Sequence, residues 1–385
     1  MKITDTISYV GVNDHELDLF EGQYSVPNGM AYNSFVIEDE RVAVMDTVDA
    51  RFGGEWLTAI RGVLGERMAD YLIVSHMEPD HSANIAAFME AYPQATIVAT
   101  QKAFAMMSQF YGTDYADRRI IAAEGSTLSL GKRELAFLTA PMVHWPEVMM
   151  TWDKAEGVLF SADAFGKFGA LDAEEDWACE ARRYYFGIVG KFGAAVQTVL
   201  RKIAGLGVKT ICPLHGPVLS ENLAYYLDKY QTWSTYSVED EGVVIACASI
   251  YGHTMKAAEL LREKLLAYGC PKVALTDLAR DDMAEAVEDA FRYGTLVLAA
   301  SSYNGGVFPF MQSFIDHLTE RNYQKRRIAI VENGTWAASA AKTMLKLLEG
   351  GKNLTFAENT VTIRSALNSE SEQALDALAR ELCGK

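Results

Sequence analysis

The amino-acid sequence predicts an α/β protein with two domains: mixed sheets and helices in residues 1–240, and a doubly wound, five-stranded parallel sheet in residues 241–385. The length of 385 residues exceeds what one ordinary hydrophobic core organises. Strand-like and helix-like runs are mixed before residue 240, whereas apolar strands alternate regularly with helices from residue 243 onward. The acidic segment 238–242 separates the two patterns, so we predict the domain boundary there.

The composition is that of a globular protein without a nucleic-acid or membrane partner. Half of the residues are hydrophobic, 22% are charged, and the net charge is −16, which opposes binding to phosphate backbones and anionic lipids. The first residues form no apolar signal region, and no stretch approaches the roughly 20 apolar residues of a membrane helix. We therefore predict a cytoplasmic protein.

The cysteines indicate reduced thiols and no thiolate metal site. All five are scattered without a C-x-x-C pattern, at Cys179, Cys212, Cys247, Cys270 and Cys383. Any rubredoxin-like or iron–sulfur electron donor must therefore be a separate protein.

The first domain begins with a predicted hairpin, because strand-like residues 33–37 and 42–46 flank the polar turn 38–41. An apolar strand at 71–74 leads into an unusual polar segment, residues 75–82. The other predicted elements are helices at 55–64, 84–92, 102–111 and 221–235, a strand at 96–99 and a strand-rich stretch at 119–160.

The polar segment 75–82 concentrates metal-ligand side chains. His76 and Glu78 have the spacing that keeps alternate side chains on one side of an extended chain, while Asp80 and His81 are adjacent and can face different ions where the chain turns. The alternative is a strand-to-helix loop in which Asp80 or Ser82 caps the next helix. Capping alone does not require two histidines and a glutamate, so we predict a metal site.

Three further ligand candidates each follow an apolar strand-like run: His144, Asp163 and His215. Taken singly, each of the two histidines is more often a hydrogen-bonded structural residue than a metal ligand, and the aspartate is more often a turn residue. Together with the polar segment they supply the set His76, Glu78, Asp80, His81, His144, Asp163 and His215, close to what two ions need when a carboxylate bridges them. Three carboxylates favour iron or manganese over the histidine-rich surroundings of a hydrolytic zinc.

The second domain is predicted from alternation. Strands are expected at 243–248, 272–275, 295–299 and 327–331 and near Leu354, with helices at 254–268, 282–291, 309–318, 337–348 and 372–382. Ligands of such a sheet bind at the carboxyl ends of its strands.

Three loops at these strand ends predict a flavin mononucleotide (FMN) site. The first lacks the glycine patterns of dinucleotide and P-loop sites, and its hydroxyls, glycine and following helix fit a monophosphate. The second and third offer aromatic faces and backbone amides for a planar ring. The predicted contacts are Ser249, Ile250, Tyr251, Gly252, His253 and Thr254, then Ser302, Tyr303, Asn304 and Gly305, then Asn333, Gly334, Thr335 and Trp336. Each loop alone is also typical of an ordinary turn.

Together these residues resemble the flavodiiron proteins, also called A-type flavoproteins, over nearly the whole chain. The first half resembles a metallo-β-lactamase-like αββα sandwich whose H-x-H-x-D-H motif has become H-x-E-x-D-H at residues 76–81, and the second half resembles flavodoxin. The resemblance implies that His76, Glu78 and His144 hold one iron, that Asp80 and His215 hold the other, and that Asp163 bridges them. Family members differ in whether the histidine at His81 coordinates. They often carry aspartate at the position of Glu147.

The resemblance further implies a head-to-tail homodimer, or a dimer of such dimers, in which the flavin of one subunit faces the di-iron centre of the other and Trp336 lies near it. We therefore predict an oxidoreductase that receives electrons from rubredoxin or another small redox protein, stores them on FMN, and reduces dioxygen to water or nitric oxide to nitrous oxide. Tyr32 and Tyr184 are candidates for proton delivery, although a packing role is more typical. One alternative is a zinc-dependent hydrolase fused to a flavodoxin domain, which Glu78 disfavours. Another is a plain electron-transfer protein, which the complete ligand set disfavours.

Overall fold

A computed structural model describes residues 1–385. The chain forms two compact units, Met1–Gln231 and Thr232–Lys385. The assignment of a di-iron domain to residues 1–240 and an FMN-binding domain to residues 241–385 stays a prediction. None of the helices is both long enough and apolar enough to cross a membrane.

The first unit is built from short strands and intervening helices. Its strands are β1 (Ile7–Tyr9), β2 (Val12–Asp14), β3 (Leu19–Phe20), β4 (Tyr24–Ser25), β5 (Met30–Tyr32), β6 (Phe35–Glu38), β7 (Val42–Met45), β8 (Tyr71–Ile73), β9 (Thr96–Thr100), β10 (Arg119–Ala122), β11 (Thr127–Ser129), β12 (Glu134–Thr139), β13 (Met149–Asp153), β14 (Val158–Phe160) and β15 (Thr210–Cys212). Its helices are α1 (Gly53–Leu64), α2 (Pro79–Ser82), α3 (Ile85–Ala91), α4 (Gln101–Tyr111), α5 (Trp177–Tyr184) and α6 (Gly193–Ile203), and α7 (Leu223–Ser234) follows.

Two sheets enclose the core of this unit. One has the order β1-β6-β7-β8-β9-β10 and the other β11-β12-β13-β14-β15. Apolar side chains from both sheets, among them Phe35, Ile73, Phe137 and Phe160, form a single buried cluster. Burying one such side chain stabilises the folded state by about 1.5 to 3 kcal/mol, so the facing apolar surfaces hold the two sheets together. The predicted hairpin is present as the antiparallel pair β6 and β7.

The polar segment 75–82 turns at Asp80 and His81, where the sequence indicated a turn. The chain is extended only to Glu78, and Pro79 then begins the single helical turn α2. Proline suits this first helical position because its fixed φ favours the helix and no N–H is needed. Neither capping alternative is observed: no side chain caps α3, and the Ser82 hydroxyl donates instead to the Met77 carbonyl at 2.9 Å.

The second unit contains a mainly parallel sheet with the order β17-β16-β18-β20 and two short strands, β21 and β22, both paired with β20. Its strands are β16 (Asp240–Ala248), β17 (Val273–Asp277), β18 (Tyr293–Tyr303), β19 (Gly306–Val307), β20 (Arg327–Asn333), β21 (Thr355–Phe356) and β22 (Val361–Ile363). Its helices are α8 (His253–Ala267), α9 (Met283–Arg292), α10 (Pro309–Glu320), α11 (Ala340–Leu347) and α12 (Ser369–Leu382).

The last predicted strand is split. Residues 355–356 and 361–363 pair separately with the two ends of β20, whereas the sequence suggested one short strand near Leu354. The short β19, which turns back antiparallel on β18, was not predicted at all. The central strands are buried on both faces, which explains their continuous apolar sequences.

Candidate metal centre and cofactor cleft

The seven predicted ligand residues meet at one edge of the first unit. His76 follows β8, Asp163 follows β14, and His215 follows β15, so three strands deliver their side chains beyond their carboxyl ends. His144 lies in the loop that joins β12 to β13. The helical turn α2 carries Asp80 and His81.

Four of these side chains form a first group, consisting of His76, Glu78, His144 and Asp163. The Oε2 atom of Glu78 lies 3.1 Å from Nε2 of His76 and 3.0 Å from Nε2 of His144. The Oδ2 atom of Asp163 lies 3.4 Å and 3.0 Å from the same two nitrogens. Four donor atoms of the right chemical type therefore face one small volume.

The second group consists of Asp80, His81 and His215. The Oδ2 atom of Asp80 lies 3.4 Å from Nε2 of each histidine, and these two nitrogens are 2.9 Å apart. The other carboxylate oxygen of Asp163, Oδ1, faces this group at 3.5 Å from His81 and 3.8 Å from His215. One carboxylate thus presents one oxygen to each group.

The donor sets fit metal ions. Donors bonded to a metal at about 2.1 Å are about 3.0 to 3.4 Å apart in octahedral or tetrahedral geometry, which covers the separations in the first group. In addition, both oxygens of Asp80, Oδ1 of Asp163 and Nδ1 of His81 are buried without a hydrogen-bond partner. Buried carboxylate oxygens are costly unless they are paired, and a cation in each group would pair them.

The hydrogen bonds orient the histidines toward the two groups. Nδ1 of His215 lies 2.8 Å from the carbonyl oxygen of Ala31, and Nδ1 of His76 lies 2.8 Å from Oε1 of Glu147. Both partners can only accept, so each Nδ1 carries a proton and each Nε2 is the atom available to a metal.

Electrostatics in the centre are governed by burial and by the paired charges. Burial opposes ionisation of Asp163, but the charge of His76 and the hydrogen bond from His144 hold the pKa of this carboxyl well below its usual range. Against the same burial effect, the hydrogen bonds of Glu78 to His144 and His76 lower its pKa to about 2. Burial lowers the pKa of His81 to about 4. Both carboxylates are therefore ionised and His81 is neutral at neutral pH.

Sequence reasoning missed several residues that support the ligands. The Asp46 carboxylate accepts a hydrogen bond from the Ser75 backbone N–H at 2.6 Å, and the Thr47 hydroxyl donates to the His81 carbonyl at 2.9 Å. The Asn33 side chain donates to the carbonyls of Pro213 and Gly216 on either side of His215. Asp46 and Thr47 directly follow β7, which is parallel to β8, so their position beyond a strand at the same edge was the available signal.

The second unit has an open cleft of about 330 Å³ at the carboxyl ends of its strands. All predicted FMN contacts line the cleft except Gly252. This glycine is instead the N-cap of α8, with φ of +86°, and its N–H donates to the Ser249 hydroxyl at 3.0 Å. The structure adds four lining residues to the predicted contacts, Ser301, Ala337, Ser339 and Ser365.

Hydrogen bonds join the loops around the cleft. The hydroxyls of Thr254 and Ser301 are 2.8 Å apart, and the Asn333 side chain exchanges hydrogen bonds with the backbone of Ser365. Two large aromatic side chains at the cleft are nearly fully exposed, Tyr251 at 91% and Trp336 at 94%. Hydrogen bonds therefore hold the loops that line the cleft, whereas the rings of Tyr251 and Trp336 are exposed to solvent at its rim.

Comparisons with known proteins agree with this architecture. Residues 30–216 match a family described as ODP family beta lactamase. The chain is 30% identical to a protein named nitric oxide reductase from Moorella thermoacetica, over 100% of this chain and 98% of the relative. A solved structure of rubredoxin oxygen:oxidoreductase from Desulfovibrio gigas is similar with a TM-score of 0.91 and 26% identity, covering 100% of this chain and 98% of that one.

A flavodiiron protein from Giardia intestinalis has the same fold, with a TM-score of 0.92 at 24% identity over 100% of this chain and 97% of that chain. These matches confirm the predicted fold class, a metallo-β-lactamase-like sandwich followed by a flavodoxin-like parallel sheet. The identity to the Moorella protein extends over the whole chain, and so does the structural likeness to the Desulfovibrio enzyme. This chain therefore belongs to the flavodiiron protein family of oxidoreductases.

Proposed function

We propose that this protein is a flavodiiron reductase that binds two iron ions at the seven-residue centre and FMN in the cleft, and that it reduces dioxygen to water, nitric oxide to nitrous oxide, or both. The observation that carries the proposal is Asp163, a buried carboxylate whose two oxygens face two separate donor groups. The names of the relatives, which include nitric oxide reductase and rubredoxin oxygen:oxidoreductase, support the two substrates.

In this proposal the first donor group would hold one iron and the second would hold the other, and Asp163 would offer one carboxylate oxygen to each. His81 belongs to the second set because its Nε2 is 2.9 Å from Nε2 of His215 and 3.4 Å from Oδ2 of Asp80. When bound, the irons would bind the gas and the flavin would supply electrons one or two at a time.

The protein's own part in this chemistry is to hold protons close to the metal centre. The hydroxyl of Tyr184 is buried without a hydrogen-bond partner, and its ring centroid is 5.5 Å from that of His215. Burial raises the pKa of Tyr184 well above its ordinary value, so the hydroxyl keeps its proton and can donate a hydrogen bond to a bound oxygen or nitrogen atom. Burial likewise raises the pKa of Tyr32, whose ring lies 5.9 Å from that of His215.

FMN binding is supported by the chemistry of the cleft. Hydroxyls at Ser249 and Thr254 and the start of α8 suit a phosphate, because the first N–H groups of a helix have no partner within it. The exposed rings of Tyr251 and Trp336 suit the faces of an isoalloxazine ring. Their exposure also supports the predicted head-to-tail homodimer, in which a second subunit would cover this rim.

We further propose that a separate small redox protein of the rubredoxin kind supplies the electrons. The printed name of the Desulfovibrio relative includes rubredoxin, and this chain contains no pair of cysteines spaced for such a centre. A cytoplasmic location stays a prediction from the sequence.

The match to a family described as beta lactamase favours one other candidate, a zinc hydrolase carrying a flavodoxin-like domain. The three carboxylates at Glu78, Asp80 and Asp163 count against it, since hard oxygen donors favour iron.

Metal and flavin content of the purified protein distinguishes the two candidates. We expect two iron ions and one FMN per chain of the native protein. The D163N variant should keep FMN but lose iron, because both donor groups lose the carboxylate that they share. Two zinc ions, with no redox-active iron, would overturn the proposal.

A further inference from the structure

Glu147 is a buried carboxylate that contacts the metal centre from outside it. It lies in the same loop as His144, and its side chain is fully buried. Its Oε1 atom is 2.8 Å from Nδ1 of His76 and 2.9 Å from the backbone nitrogen of Met77. Its own carbonyl oxygen accepts a hydrogen bond from the Thr100 hydroxyl at 3.1 Å.

This arrangement excludes Glu147 as a metal ligand. Its carboxylate binds Nδ1, whereas the donor group of the centre faces Nε2 on the other side of the same ring. Its only ion-pair partner is His76, and no lysine or arginine neutralises it. Burying a carboxylate with a single ion-pair partner costs free energy, so we attribute the role of Glu147 to its contact with His76.

One carboxylate oxygen fixes both the ring and the backbone of the histidine. Oε1 accepts the Nδ1–H of His76 and the N–H of the next residue, so the imidazole cannot rotate without breaking a bond to a buried charge. Its Nε2 is thereby held 3.1 Å from Oε2 of Glu78 and 3.4 Å from Oδ2 of Asp163.

The two donor groups differ in this respect. In the second group, Nδ1 of His215 donates to the neutral carbonyl of Ala31, whereas in the first group the acceptor is an anion. A carboxylate behind a ligating histidine raises the basicity of that ligand and, with it, the affinity for the metal. Three carboxylates therefore act on the first group: Glu78, one oxygen of Asp163, and Glu147 on the far side of His76. Only two act on the second group, Asp80 and the other oxygen of Asp163.

We propose that Glu147 is a positioning residue that makes the two metal positions unequal, so that the position of His76, Glu78 and His144 binds its metal more tightly than the other. The inference rests on the proposed metal centre and concerns only the order within it.

The test is a titration of the full-length, metal-depleted protein with cobalt(II) under argon. We expect two binding steps that differ by at least about 10-fold in affinity. The first equivalent should bring a paramagnetically shifted, slowly exchanging N–H proton into the NMR spectrum, which is Nδ1–H of His76 held by Glu147.

Two variants of Glu147 separate the effect of its charge from the effect of its side-chain length. E147Q keeps an oxygen that can accept both N–H groups but removes the charge, so the first step should weaken by about 10- to 100-fold while the second is unchanged. E147D keeps the charge but ends about 1.5 Å short, so the first step should weaken and the shifted N–H should exchange quickly. E332Q is the matched control, because Glu332 is a buried carboxylate of the second unit that accepts only from Ala341 and Thr362.

Equal affinities for both equivalents in the native protein would overturn the inference, as would a loss in E147Q that is shared by both steps. If the variants fail to fold, the native titration still decides, because a first equivalent that leaves the protected N–H unshifted contradicts the proposed order. Failure to bind any cobalt would instead remove the proposed metal centre itself.

Discussion

The metal-free centre should release protons when it binds metal, and the pH dependence of binding tests its electrostatics. Burial alone would lower the pKa of His144, but its hydrogen bonds to Asp163 and Glu78 raise the pKa to about 9. Burial also opposes protonation of His76, yet the charge of Asp163 and the hydrogen bond to Glu147 raise its pKa well above the ordinary value. Both imidazoles therefore carry an extra proton at pH 7.

The expected magnitude follows from counting these protons. A metal needs Nε2 of each histidine without its proton, so at least two protons leave on binding at pH 7. In the second donor group, His81 contributes none because burial lowers its pKa to about 4. Against the effect of burial, the Asp80 carboxylate raises the pKa of His215, so His215 can only add to this minimum of two protons. Each displaced proton makes the apparent affinity about 10-fold tighter per pH unit, so two give about 100-fold per unit below pH 9.

The assay is zinc(II) binding to the metal-depleted protein in competition with a chelator, between pH 6 and pH 8. Calorimetry in buffers of different ionisation enthalpy counts the released protons independently. The H144N variant should release one proton fewer and show a correspondingly smaller slope. An affinity that changes by less than about 10-fold across this range would refute the reasoning, because it would mean that these histidines are already neutral.

Three further predictions concern groups outside the ligand set. Burial raises the pKa of Asp46 to about 7, above about 3.9 in the unfolded chain, so this group lowers the free energy of unfolding as the pH rises from 4 to 7. In the metal-free protein, the D46N variant should lose up to about 4 kcal/mol less unfolding free energy over this pH range, measured with urea. Arg326 is buried and donates to the carbonyls of Tyr236, Ser237 and Phe291; R326M should lower the free energy of unfolding by about 3 kcal/mol, and an unchanged urea midpoint would contradict this role. Burial raises the pKa of Cys247 to about 12, so this thiol should react with Ellman's reagent only after unfolding.

The sequence was most informative where chemistry and periodicity coincide. The central strands of the second unit are long and apolar on both faces, so alternation located them to within a few residues. The seven ligand candidates were identifiable because unusual residue types follow strand ends, and parallel strands carry such residues to one edge.

What the sequence could not indicate depends on contacts between distant segments. The strands β1 to β5 contain two or three residues each, too few to show a period. The bond between Glu147 and His76 joins residues 71 positions apart, and Ser365 reaches the cleft through a strand that the sequence did not place. Such partners are selected by packing, which no local pattern reports.

The most direct test of the proposed function is anaerobic. The purified protein is fully reduced with excess rubredoxin and its reductase and then mixed with dioxygen or nitric oxide under matched conditions, with iron-depleted D163N as the control. We predict catalytic consumption of at least one gas by the native protein, with the faster substrate revealing its preference, and none above background by D163N. Equal rates for native protein and D163N would contradict the proposal, because the reaction would then be that of free reduced flavin and would owe nothing to the metal centre.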